Sequence, residues 1–476
     1  MGIPVTFADI VAAGPISVMF IAALVVLIVE SILRNGEPVN RWLALAGFLA
    51  AGAVAALTTG WSGLAFGGTV HTGGFASYCA LVFSIAGALS VLLSSAYLKK
   101  TKTLRGEYYA LLLIAVFGMM LMGAANDLVV FFLGLETMSI PFYVLAAFAR
   151  NRATSNEAGL KYFLLGAFAT GFLLYGIALI YGTTGTTNIA TIRQKVPGLV
   201  GTPIFTVGLG MLLTGLMFKI AAVPFHMWAP DVYEGAPTPV SGFMATGGKA
   251  AAFAVFLIIF APTVLWSAGV VREILALVAA ASMILGNIAA IAQTSIKRML
   301  AYSSIAHAGY ILVGVVAANA PGGNGVLFYI LAYTLMNIGA FGVLGMLEKD
   351  GGENLSFEDC AGLGKRTPLL AFMMAVFMFS LAGIPPFAGF FGKYYVFVGA
   401  IQAGYTWLAI VGVIMSVVSA YYYLRLVVMM YFTPESEPRL VTLSSPGVLA
   451  LGISIIALIY LGLFPSTIID VTSRFF

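Results

Sequence analysis

Glu136, Lys219, Lys249 and Lys393 each interrupt an apolar stretch long enough to span a bilayer. A charge at the centre of a membrane helix costs roughly 2.5 to 3.5 kcal/mol on insertion scales, so four cost about 10 to 14 kcal/mol. That matches the whole folding stability of an ordinary domain, roughly 5 to 15 kcal/mol. Residues so costly point to proton or ion handling inside a helix bundle. Counted from Asp127, Glu136 sits roughly 13.5 Å into its helix at about 1.5 Å per residue, near the middle of a ~30 Å hydrocarbon core. It cannot snorkel to water. Lys249 lies at a similar depth, and Lys219 and Lys393 flank proline-containing breaks, where freed carbonyls and water can reach an ammonium group.

Burial weakens an ammonium's hold on its proton and a nearby carboxylate strengthens it. At an effective dielectric of about 20, an ion pair is worth about 4 kcal/mol at 4 Å and about 2 kcal/mol at 8 Å. A Glu136–Lys219 pair of variable separation is therefore the expected proton switch, with Lys249 relaying and Lys393 serving a second half-channel. As structural anchors alone, three lysines to one central glutamate leave charge unbalanced. Of the three histidines, His226 follows the first break and His307 lies in the tenth span, where an imidazole could pass protons between water and lysine. Lys161, beside Glu157, is a further secondary-pathway candidate.

The elements that must position these groups are membrane helices. Of 476 residues 61% are hydrophobic and 9% charged, against about 25% charged in soluble proteins. The expectation is an all-α integral membrane protein of about fourteen spans, starting near residues 11, 41, 75, 108, 127, 157, 203, 241, 271, 300, 324, 367, 405 and 445. A β-barrel would show short alternating segments instead. The first apolar segment lacks the basic start of a cleavable signal and is read as helix one.

Loops after odd-numbered spans hold Arg34, Arg41, Lys99, Lys100, Lys102, Arg105, Arg150, Arg152, Lys297, Arg298, Lys349, Lys365, Arg366 and Arg439, whereas even-numbered loops and tails hold only Arg193, Lys195, Arg272 and Arg474. Odd loops are therefore expected in the cytoplasm and both termini on the outer side. The net charge of +5 reflects this bias and not nucleic-acid binding. The acidic stretch from Glu348 to Arg366 is expected as a solvated cytoplasmic loop, with docking as the less favoured reading.

Pro224 interrupts one span, and Gly383, Pro385, Pro386 and Gly389 interrupt another. Helices seven and twelve are accordingly expected to be broken. Their shared Pro-Phe steps and neighbouring lysines make them counterparts five helices apart, and an odd offset means opposite orientation, as in an inverted repeat. The expected division is residues 1–107 as three N-terminal helices, 108–262 as a first half-channel (helices four to eight), 263–432 as a second (helices nine to thirteen), and 433–476 as helix fourteen, the grouping into half-channels being what the family resemblance given below implies.

No cofactor site is expected in this chain. Cys79 and Cys360 cannot hold an iron–sulfur cluster, and three histidines are too few for two bis-histidine haems, His71 lying outside the spans. The run Phe243 to Ala250 ends in Gly-Gly-Lys-Ala but lacks the first glycine and the Ser/Thr of a phosphate loop. Any soluble chemistry belongs to other chains.

The stretch Met217-Phe-Lys-Ile-Ala-Ala-Val-Pro-Phe-His-Met-Trp-Ala-Pro-Asp-Val-Tyr-Glu-Gly-Ala-Pro-Thr-Pro-Val240 closely resembles the signature of the antiporter-like membrane subunits of respiratory complex I. Gly-Gly-Lys249, the run Lys297 to Tyr310 and the run Gly383 to Lys393 match as well. The resemblance implies a proton-translocating subunit in a bacterial inner membrane. Its functional glutamate on helix five and lysines on helices seven, eight and twelve would be Glu136, Lys219, Lys249 and Lys393. It also implies two inverted five-helix half-channels, and flavin, iron–sulfur clusters and quinone in partner subunits, with other membrane subunits, a peripheral redox arm and lipid as partners. Sister subunit M typically carries glutamate where this chain has Lys393, and no room remains after residue 464 for the lateral helix of sister subunit L. The alternatives are a cation/proton antiporter subunit, the equivalent subunit of a plastid or cyanobacterial ferredoxin-driven complex, and a scaffold without conduction.

Overall fold

In lipid an apolar run must satisfy its own backbone, so the long hydrophobic stretches fold as helices. The computed structural model describes residues 5–33, 36–260, 262–348, 354–434 and 443–476. Among them twelve helices are long and apolar enough to cross a membrane. In chain order these are α1 (Gly14–Ile32), α2 (Glu37–Thr58), α3 (Gly74–Lys100), α4 (Glu107–Ala124), α5 (Leu128–Ala146) and α6 (Ala153–Thr184), then α8 (Thr238–Ile259), α9 (Gly269–Ile291), α10 (Ile296–Ala317), α11 (Ala320–Leu347), α13 (Thr406–Phe432) and α14 (Ser445–Leu463). The two remaining expected spans, seven and twelve, are interrupted into α7a (Pro203–Lys219) with α7b (Trp228–Gly235), and α12a (Pro368–Ala382) with α12b (Ala388–Gln402). Taking Glu358–Arg366 and α12a, which meet at 119°, as one span gives up to 13. The expected fourteen is not reached by length and composition, because each broken span falls into pieces too short to qualify.

Both interruptions lie where the prolines placed them. Between α7a and α7b, Ala221 takes a φ of 55° and Val223–Pro224 is cis; the freed Val223 N–H donates to Ser282 Oγ of α9 at 3.0 Å. Between α12a and α12b, Gly383 ends the helix at φ 85°, a left-handed cap that glycine adopts without the Cβ penalty. Close helix contacts elsewhere depend on small residues. A Cβ on Gly118 of α4 would lie 2.4 Å from the Met138 backbone nitrogen of α5.

α11 is the central post, buried along its whole best spanning window. α1, α6 and α13 lie outermost and turn large apolar side chains such as Phe168, Tyr175 and Val417 outward. The all-α expectation holds for every span; the one strand element among the described residues is a hairpin, β1 (Ser62–Ala65) with β2 (Val70–Gly73), antiparallel with Ser62 opposite Gly73.

Two charge placements need correcting. Lys297 and Glu348, assigned above to cytoplasmic loops, are the second residue of α10 and the C-cap of α11, and each side chain is 1% exposed. A charge at a span's end reads as a loop residue in sequence, but here the junction of α7b and α8 packs over both. Glu348 therefore contributes nothing to a docking surface. Asp350 and Glu353 of the same stretch lie outside the described residues, as do Arg34, Lys349 and Arg439 of the charge bias.

Candidate functional site

Lys219, Lys249 and Lys393 are 5%, 2% and 4% exposed, and each ammonium is held by neutral oxygens. Among the described residues no carboxylate lies within the 4.0 Å ion-pair distance of any of them. Lys219 Nζ, at the end of α7a, donates to Ser139 Oγ at 2.8 Å and Tyr143 OH at 3.4 Å. Both acceptors come from α5, and with Glu136 they recur at the i, i+3, i+7 spacing of one helix face. Glu136 itself is half-buried and accepts from Thr170 Oγ1 of α6 at 3.0 Å. The expected Glu136–Lys219 contact is thus mediated by a hydroxyl-bearing face and is not a direct ion pair. The carboxylate still acts on Lys219 through its field.

Lys249 follows a π-helical turn, Met244–Gly248, in α8. The extra residue of such a turn shifts the side chains after it around the helix axis. Its Nζ donates to the backbone carbonyl of Ser304 on α10 at 2.6 Å and also to the Ser304 hydroxyl. One turn on along α10, His307 is 1% exposed. Its Nδ1 meets Tyr329 OH of α11 at 2.9 Å and its Nε2 meets Tyr423 OH of α13 at 3.1 Å, so both nitrogens are engaged whichever carries the proton. His307 lies in the field of both Lys249 and Lys393.

Lys393, on α12b, reaches back across the break. Its Nζ donates to the Ala382 carbonyl that α12a leaves free, at 2.9 Å, and to Ser416 Oγ of α13 at 2.7 Å. It stands 4.7 Å from the Tyr310 ring centroid. A helix C-terminus carries partial negative charge and suits a cation. Tyr310 OH accepts from Asn287 of α9 at 3.0 Å, and Tyr422 OH donates to the same Asn287 side chain at 2.8 Å. Lys249, Ser304, His307, the tyrosines and Lys393 therefore form one buried polar series across α8 to α13.

Lys219 and Lys249, by contrast, share no hydrogen-bond partner among the described residues. Phe142, next to Tyr143 on α5, packs edge-on against Phe243 with ring centroids 5.4 Å apart. It also abuts Gly248, the residue before Lys249, where a Cβ would come within 2.6 Å of the ring. Met119 of α4 covers Gly247 in the same way. An apolar contact thus stands where α5 meets α8.

Of the secondary candidates, His307 belongs to this series, and His226 and Lys161 are set apart from it. His226 is half-buried in the α7 break, and its Nδ1 has no hydrogen-bond partner among the described residues. Lys161 is 41% exposed by side chain and pairs with Glu157 at 2.7 Å and Asp231 at 2.8 Å. With Glu234 and Arg298 it lines a cavity of about 370 Å³. The sequence reading passed over Ser139, Tyr143, Thr170, Ser304, Tyr310, Tyr329 and Tyr423. Helical spacing from the charged residues would have found Ser139, Tyr143 and Ser304; no local signal marks the rest.

A family model described as NADH:quinone oxidoreductase/Mrp antiporter, TM, matches residues 125–419. NADH-quinone oxidoreductase subunit N of Trichlorobacter lovleyi is 51% identical over 437 residues, covering 90% of this chain and 89% of that protein. NADH-quinone oxidoreductase subunit N 1 of Chloroherpeton thalassium is 46% identical over 458 residues, covering 95% of each. A chain in the solved structure of respiratory complex I from Thermus thermophilus with bound aureothin superposes with a TM-score of 0.83 at 35% identity, covering 96% of this chain and 98% of that one.

Proposed function

This chain belongs to the NADH:quinone oxidoreductase/Mrp antiporter membrane family, and on that premise we propose that it acts as the subunit N of an NADH-quinone oxidoreductase, conducting protons across a bacterial inner membrane. The observation that carries the reading is the burial of three lysines against hydroxyl and carbonyl oxygens, with no carboxylate of the described residues in ion-pair contact. An ion-paired lysine is locked in its charged form, whereas one held by neutral oxygens can give up its proton and keep its partners. Serine and tyrosine hydroxyls both donate and accept, so each can pass a proton along while taking another.

In this reading Glu136 modulates Lys219 through Ser139 and Tyr143, Lys249 hands on through the turn of α10 that carries Ser304 and His307, and Lys393 completes the second half-channel. Counting the interrupted segments as spans seven and twelve gives fourteen, with two inverted five-helix repeats and both termini on the periplasmic side. The redox centres and the quinone site belong to other subunits, so the chain is a transducer and its partners are the neighbouring membrane subunits, the peripheral arm and lipid. Purification from native membrane tests the assignment: co-migrating flavin and iron–sulfur absorbance supports it, and their absence points to a cation/proton antiporter. For conduction, Lys219→Ala or Glu136→Ala should lower redox-driven proton pumping by about tenfold or more while the complex still assembles, a positioned proton-transfer group being worth roughly 10²–10⁴-fold. Full pumping by both variants would leave the chain a scaffold.

A further inference from the structure

Lys297 and Glu348 are the one ion pair buried on both sides among the described residues, and the route above does not use them. Their charged atoms stand 3.8 Å apart, beyond hydrogen-bond distance. Lys297 Nζ donates to the Ala236 carbonyl at 2.8 Å. One carboxylate oxygen of Glu348 accepts from Thr238, and the other is buried with no partner among the described residues. A pair built only to fasten helices would close these gaps, since an unmet buried carboxylate oxygen is costly.

The pair sits between an open space and Lys249. Arg298, the next residue on α10, faces the charged cavity of about 370 Å³, as do Glu234 and Gly235, and Ala236 directly after them holds Lys297. Towards the interior, Ser304 lies seven residues beyond Lys297 on the same face of α10, roughly 10.5 Å along the axis. Tyr233, just before the cavity-lining residues, has a buried hydroxyl that stands by the Ser304 side chain without full hydrogen-bond geometry to any described residue. Buried water typically occupies such sites, bridging otherwise unmet polar groups. The Glu348 oxygen and the Tyr233 hydroxyl thus offer two places at which water could bridge the cavity and the Ser304–Lys249 contact.

We propose that Lys297 and Glu348 form an admission gate through which protons from this charged cavity reach Lys249 without passing Lys219. The Glu348 carboxylate takes a proton that enters from the aqueous phase, handed on by cavity water that is itself reprotonated from outside. It returns to its charged form as that proton passes through the water held by Tyr233 and Ser304 to the neutral amine of Lys249, which becomes an ammonium. The inference rests on the conduction reading above for Lys249. Glu348→Gln keeps the acceptor for Thr238 but cannot cycle a proton, Glu348→Asp keeps the acid, and Tyr233→Phe removes only the hydroxyl beside Ser304.

The assay is proton pumping per electron pair by the purified complex in vesicles, with Lys249→Met as reference. The gate requires about tenfold slower pumping in Glu348→Gln and Tyr233→Phe, below the full ~10²–10⁴-fold because the Lys219 side still delivers, and near-parent pumping in Glu348→Asp. Parent pumping in Glu348→Gln and Tyr233→Phe with loss in Lys249→Met overturns the gate alone. Failure of Glu348→Gln to assemble, with Tyr233→Phe at parent rate, makes the pair a fastening and also overturns it. Parent pumping in Lys249→Met overturns the conduction reading itself.

Discussion

Ser304 holds Lys249 through both its carbonyl and its hydroxyl, so the hydroxyl can be removed without losing the anchor. Ser304→Ala should keep the complex assembled at a cost of roughly 1.5 to 3 kcal/mol, the worth of a hydrogen bond to a charged group. Pumping per electron pair should fall by about tenfold, within the range of a lost proton-relay group; an unchanged ratio in the vesicle assay would restrict the hydroxyl to packing. The burial of Lys219, Lys249 and Lys393 could be read from the sequence because each charge lies inside an apolar run. Thr170, Tyr329 and Tyr423 could not, since hydroxyl residues occur in any membrane helix and only the meeting of α5 with α6, or of α10 with α11 and α13, gives them a partner. Lys297 and Glu348 were illegible for the opposite reason. At the ends of spans they look solvated, and only the fold of the α7b–α8 junction over them takes them from water.

The breaks are where a helix gives up regularity to serve a side chain. Gly383 occupies a left-handed cap at φ 85°, and a Cβ there would stand 3.1 Å from Lys393 Cδ. Gly383→Ala should therefore cost about 1 to 2 kcal/mol from the backbone and displace Lys393, lowering pumping in a complex that still assembles. Gly389→Ala should behave differently, because its Cβ would fall 1.8 Å from the Ser380 carbonyl oxygen, a backbone clash that no rotamer relieves. The measurement is yield and melting temperature of the purified complex, with Gly389→Ala failing at the assembly step. Proline and glycine spacing announced both interruptions. It could not announce that Lys393 would turn back to the Ala382 carbonyl, nor that the Gly-Gly-Lys249 run would form a π-helical turn, since both depend on contacts across the bundle.

Across the whole chain, the Lys/Arg distribution assigns sides to the loops, and the proposed orientation can be measured directly. Cysteines placed at Ser473 and at Arg150 should react with a membrane-impermeant maleimide from opposite faces, Ser473→Cys from the periplasmic side and Arg150→Cys only in inverted vesicles. The native Cys79 and Cys360 are buried and should give little background. Labelling of both from one face would break the even span count. The Phe142–Phe243 contact between the two polar series also bears on the molecule at rest. At a membrane potential of 100 mV each hydrogen ion is driven by about 2.3 kcal/mol, and an unbroken wet thread would short-circuit the gradient that the complex exists to charge. In the arrangement seen here those two rings stand as an insulator between the Lys219 side and the Lys249 side.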